Sequence, residues 1–211
     1  QHSVQAFTSR RMKYLIKAPG RTGCHLIADF IKGSGQAVNG IFENNHDNTP
    51  PAFVEILDNK ILIDHSVDVP NNTSEYTLII SKRRNKQELL LSHMVSGVTS
   101  TFRGKATIED LVDVYQYFGM AKDFIAQHLL RYVKHYEEIK TLPWANVHEV
   151  FMEDFLTDPS ILCTIVDYEH KPDWSHLESE KALNYKDCFI DAQQALFVAK
   201  RICREKGLVN E

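Results

Sequence analysis

An α/β fold is predicted: a three-layer domain with a central, mostly parallel sheet and helices on both faces. Three observations predict it. Apolar runs of strand length alternate with segments of helical period, the order that builds parallel sheets. Tyr76-Thr-Leu-Ile-Ile-Ser81 is almost continuously apolar, as a strand buried on both faces must be. The stretch Tyr14-Leu-Ile-Lys-Ala-Pro-Gly-Arg-Thr-Gly-Cys-His-Leu-Ile-Ala-Asp-Phe-Ile31 passes from a short apolar run through a Pro-Gly turn into an amphipathic helix.

The elements follow in order. A strand is expected near Met12 to Lys17, then a helix from about Gly23 to Ile31 ended by Gly33 and Gly35, which suit a C-terminal cap. Phe42 to Pro51 is polar and turn-rich and reads as a loop. Phe53-Val-Glu-Ile-Leu57 and Lys60-Ile-Leu-Ile-Asp64 are extended runs around Asp58-Asn59, forming either a hairpin or an edge pair. After the strand at Tyr76 to Ser81, Lys86 to Val98 reads as its helix. Thr107 and Asp110 form a capping box that opens a helical region reaching about Lys140, with Gly119 a break within it. Val147 to Met152 is a further strand, and a last helix runs from a cap at Asn184 to Arg204, stopped by Gly207. No repeat, low-complexity segment or linker divides the 211 residues, so 1–211 is expected to be a single domain.

Composition excludes several classes. A net charge of −4 argues against nucleic acid as a partner, because phosphate backbones are met by strongly basic surfaces. No apolar run approaches the roughly 20 residues of a membrane span, and no secretory signal pattern precedes the first strand; a cytoplasmic protein is expected. Cys24, Cys163, Cys188 and Cys203 are scattered without C-x-x-C pairing, which suggests neither zinc nor a disulfide framework.

Chemistry concentrates at two places. Where a loop enters a helix, the first N–H groups lack intrahelical partners and carry the positive end of the dipole, so an anion is held by the backbone. Arg21, Thr22, Gly23, Cys24 and His25 would surround it. The loop is P-loop-like but fails the nucleotide-triphosphatase pattern G-x-x-x-x-G-K-[ST], lacking the first Gly and the Lys. In Leu78-Ile-Ile-Ser-Lys-Arg-Arg-Asn-Lys-Gln-Glu-Leu-Leu-Leu-Ser92, Arg84 falls at a strand end and Ser92 in the following helix, and the two suit a second phosphate.

The order and spacing of these segments resemble those of the PAPS-dependent sulfotransferases, over roughly residues 12 to 165. The resemblance implies that Arg21, Thr22, Gly23 and Cys24 bind the 5′-phosphosulfate of PAPS (3′-phosphoadenosine 5′-phosphosulfate), and that Arg84, Asn85 and Ser92 bind its 3′-phosphate. His65, in Ile63-Asp-His-Ser-Val-Asp-Val-Pro70, resembles the catalytic His of the cytosolic branch; Asp29, eight residues after Arg21, resembles the catalytic Glu of the glycosaminoglycan branch. Val150-Phe-Met-Glu-Asp-Phe-Leu-Thr-Asp-Pro159 is similar to a further family strand. Cys24 and His25 stand where the family usually has hydroxyl or basic side chains.

The activity implied is transfer of a sulfuryl group from PAPS, as donor and without a metal, to a hydroxyl on a carbohydrate or small metabolite. Arg21 and the loop amides would stabilise the leaving phosphate, and His65 would take the acceptor's proton, an imidazole being basic near neutral pH. The alternatives are a P-loop kinase-like phosphotransferase and a module that binds a nucleotide or phosphate without turnover. His128, His135 and His148 lack metal-ligand spacing, and Glu153 and Asp154 read as anchors of a strand end.

Overall fold

The structure, a computed structural model, describes residues 13–34, 41–44, 61–99, 112–166 and 188–211. Its centre is a five-stranded sheet of β1 (Lys13–Lys17), β2 (Ile41–Asn44), β3 (Ile61–Asp64), β4 (Tyr76–Lys82) and β5 (Asn146–Phe151) in the order β2-β3-β1-β4-β5. Every pairing is parallel, with Lys17 opposite Asp64 on one side of β1 and opposite Ile80 on the other. The helices are α1 (Cys24–Gly33), α2 (Lys86–Thr99), α3 (Ala126–Ile139, continuing a π-helical segment Met120–Ile125), α4 (Met152–Thr157) and α5 (Ala192–Lys206). No described helix is long and apolar enough to cross a membrane.

Pleating divides β1 between two cores, because successive side chains face opposite ways. Tyr14 and Ile16, with Ile61, Ile63 and Ile79, pack against Ile27 and Ile31 of α1. Leu15, with Leu62, Leu78 and Ile80, packs against Tyr132, Tyr136 and Ile139 of α3. These are the three layers. A further cluster joins α2 to α5 through residues such as Leu90, Met94, Val198 and Ile202.

Four expectations are corrected. Ile41–Asn44 is a strand, not loop, because β3 supplies a parallel partner that local polarity does not reveal. Lys60 to Asp64 does not form a sheet edge: Ile61–Asp64 lies between β2 and β1, while Phe53 to Leu57 falls outside the described residues. Gly119 does not break its helix; its φ of −60° and ψ of −45° are right-handed helical, and the chain continues through a π segment instead. The last helix starts at Ala192, where the Asp191 carboxylate accepts from the Gln194 amide, 2.9 Å away. The expected cap Asn184 lies outside the described residues, as do Thr107 and Asp110.

Candidate functional site

The strand order reverses at β1. The connection leaving β1 runs through α1 to β2 on one side, whereas the one leaving β4 runs through α2 and α3 to β5 on the other, the reversal beyond which open α/β sheets bind ligands at the C-terminal ends of their strands. Both chemistry-bearing segments of the sequence end here.

The loop from Ala18 to Gly23 is held from both neighbouring strands. Ala18 donates its amide to the Asp64 carbonyl at 3.3 Å, and its own carbonyl lies 2.8 Å from Nδ1 of His65. Ser81 Oγ of β4 donates to the Thr22 carbonyl at 2.7 Å. Between these anchors Gly20, Arg21 and Gly23 all have positive φ, of 85°, 55° and 79°. A non-glycine residue held there stores strain, as Arg21 does. Gly23 is also required by space: a Cβ would lie 2.6 Å from Phe155 Cζ. Gly23 is the N-cap of α1 and has no side chain, so it places no capping hydroxyl on the first amides of the helix.

Arg21 donates from Nε to Ser92 Oγ of α2, 3.0 Å away. Burial and the neighbouring Arg83 charge lower the pKa of its guanidinium, which remains cationic at neutral pH. Thr22 is fully buried and its Oγ1 has no hydrogen-bond partner among the described residues. Cys24 is buried and His25 half-buried at the start of α1; Asp29 is exposed on the same helix. The Nδ1 contact of His65 with a carbonyl can only be a donated hydrogen bond, which leaves Nε2 as the basic nitrogen.

Arg84 has other partners. Its Nε and Nη2 meet Asp154 Oδ1 and Oδ2 at 3.2 and 2.6 Å, a fork-to-fork pair, and the guanidinium lies 3.9 Å over the Phe151 ring. Both Glu153 oxygens accept from the Arg84 amide at 3.1 Å, and Oε1 also accepts from the Asn85 amide. Asn85 Oδ1 in turn accepts from the Glu88 amide, capping α2. The structure thus brings together Arg21, Ser92, Thr22 and His65 around the first loop, and sets Arg84 against the start of α4.

Sequence reasoning missed three features. Lys17 and Asp64, opposite each other in register and both fully buried, form an ion pair at 2.5 Å; Lys17 also donates to the carbonyls of Ser66 and Asp68. Asp64 accepts from the Ser66 amide and hydroxyl at 2.8 and 3.1 Å and so shapes the turn that carries His65. A charged residue ending each of two apolar strands was the available signal. The third is His93, next to Ser92: its Cε1 would stand 3.3 Å from a Cβ on Gly20, and its buried Nε2 has no hydrogen-bond partner among the described residues. Burial, reinforced by His128, Arg21 and His65, pushes its pKa down to about 3, so it is neutral at pH 7. His128 is edge-on to both His93 and Tyr132. Among the described residues no group of three or more His, Cys, Asp or Glu could hold a metal ion.

No family model matches the sequence, and no curated protein is significantly similar to it.

Proposed function

We propose that this chain is a sulfotransferase that moves a sulfuryl group from PAPS to a hydroxyl of a carbohydrate or small metabolite, as the sequence resemblance suggests. The observation that carries the proposal is the joint placement of the P-loop-like turn, Arg21 with Ser92, and His65 at the reversal of strand order. Backbone amides at the start of α1, the Thr22 hydroxyl and Arg21 would hold the donor's 5′-phosphosulfate. Ser92, together with Arg84 once the phosphate has displaced Asp154 from it, would hold the 3′-phosphate.

In the reaction the acceptor oxygen bonds to sulfur, the bond from sulfur to the bridging phosphate oxygen breaks, and the acceptor proton passes to His65 Nε2. The hydrogen bond from Nδ1–H to the Ala18 carbonyl orients the ring, and a general base so positioned contributes about 10²- to 10⁴-fold. The exposed Asp29 on α1 is the weaker base candidate, since a hydrogen bond orients His65 beside the loop and Asp29 has none among the described residues. A P-loop kinase is less well supported, because the only lysine of the first strand–loop–helix near the turn, Lys17, is committed to Asp64. A binding module without turnover is favoured by one observation, the Arg84–Asp154 pair, which leaves the second phosphate without its arginine in this state.

Thermal unfolding with adenosine 3′,5′-bisphosphate, ATP and inorganic phosphate tests the reading. At about 100 times Kd the bisphosphate should add roughly 2.7 kcal/mol and raise Tm by several degrees. That shift should be absent in Arg84→Ala. No shift, or an equal one with ATP, refutes it. His65→Ala should then abolish sulfuryl transfer while retaining the shift; if turnover survives, His65 is not the base.

A further inference from the structure

The Arg84–Asp154 pair raises a question about access. In a working second-phosphate site Arg84 and Ser92 would converge on one anion. Here they diverge: Ser92 Oγ accepts from Arg21, while both Asp154 oxygens take the Nε and Nη2 edge of Arg84. That edge is the one a phosphate would occupy bidentately, and a carboxylate has the matching spacing and charge.

We propose that Asp154 competes with the ligand for Arg84, and so sets the affinity of the second-phosphate subsite by an exchange of anions on a fixed guanidinium platform. The inference rests on the function proposed above.

Three observations argue that the exchange is feasible without unfolding the loop. The backbone of the β4–α2 turn is held independently of the Arg84 side chain, by Glu153 on the Arg84 and Asn85 amides and by Asn210 Oδ1 on the Lys86 amide at 2.9 Å. Phe151 lies beneath the guanidinium, on the face of its plane rather than on the edge that takes the anion. The paired side chains are 42% and 37% exposed, and ion pairs so close to water have a small net worth, so an incoming phosphate can replace the carboxylate. The displaced Asp154 would still stand near the bound phosphate as a like charge, which adds to its effect on affinity.

The experiment is calorimetric titration of the whole chain with adenosine 3′,5′-bisphosphate and with adenosine 5′-phosphate, for wild type, Asp154→Asn and Arg84→Ala, with urea unfolding of each variant alongside. Asp154→Asn keeps the shape and removes the charge. It should bind the bisphosphate about two- to fivefold more tightly and the monophosphate unchanged, the scale of an exposed ion pair. Arg84→Ala should erase the preference for the bisphosphate. A gain in affinity cannot arise from partial unfolding, so a merely structural Asp154 would move the result the other way. If wild type prefers the bisphosphate but Asp154→Asn binds it equally or more weakly, or gains equally for both nucleotides, competition is overturned and the proposed function stands. If wild type binds neither nucleotide, or does not prefer the bisphosphate, both fall.

Discussion

Removing one member of the buried Lys17–Asp64 pair should be among the most damaging single changes in the sheet. Both side chains are fully buried, and their charged atoms are 2.5 Å apart between adjacent strands. At an effective dielectric of about 20 the attraction is roughly 7 kcal/mol, most of which offsets the cost of taking two ions out of water. Lys17→Met leaves Asp64 charged and buried without its ammonium partner, the Ser66 amide and hydroxyl still donating to it. Asp64→Asn leaves the ammonium with the Ser66 and Asp68 carbonyls and a neutral amide. Each should cost about 3–5 kcal/mol, roughly 10 °C in Tm at this chain length. The double variant Lys17→Met/Asp64→Asn removes both charges and strands only neutral groups, so it should cost about 2–4 kcal/mol. Urea unfolding of the wild type, the singles and the double closes a mutant cycle, with an expected coupling of at least about 2 kcal/mol. Additivity within about 0.5 kcal/mol would refute the reasoning, since it would mean that neither charge depends on the other.

Gly23→Ala should destabilise by about 2–4 kcal/mol in thermal unfolding, because φ of 79° strains any L side chain and the new methyl meets Phe155 Cζ at 2.6 Å; a loss below 1 kcal/mol would show that the loop relaxes freely. Thr22→Val should leave stability within about 1 kcal/mol of wild type, the buried hydroxyl being unpartnered, yet weaken binding of the bisphosphate, with Thr22→Ser near wild type; unchanged binding by Thr22→Val would remove the hydroxyl from the site. His93 has a folded pKa of about 3 against 6.5 when unfolded, so the unfolded chain binds the proton first: its contribution is complete above pH 6.5 and is lost as pH falls toward 3. Stability followed by urea unfolding should therefore fall by up to about 1.4 kcal/mol per pH unit over that range, a slope that His93→Phe reduces; an identical slope in the variant would show that other groups account for it.

The α/β class was legible because a strand buried on both faces must be apolar throughout, and β4 is; the alternation of such runs with helical periods is set by backbone geometry alone. The limits of β1, α2 and β5 were likewise readable within a residue or so, since Pro19, Gly20 and the Arg84-Asn85 turn interrupt local periodicity. The loop was visible as a chemical candidate for the same local reason. The strand at Ile41–Asn44 was not, because what makes it a strand is hydrogen bonding to β3, about twenty residues later in the chain. Which charges meet was equally hidden. Arg84 and Ser92 are eight residues apart and looked like partners, but the side chains that take them come from residues 154 and 21, and Lys17 finds its counter-ion on β3. His93, an ordinary helix residue by pattern, becomes a neutral buried imidazole only because α2 packs on Gly20 and α3 brings His128 against it. Local sequence thus determined the layers and the turn, through steric and hydrophobic rules that act over a few residues. The partners of each charge were decided only by the tertiary fold, because burial and Coulomb attraction depend on distance in space, which the parallel crossovers set.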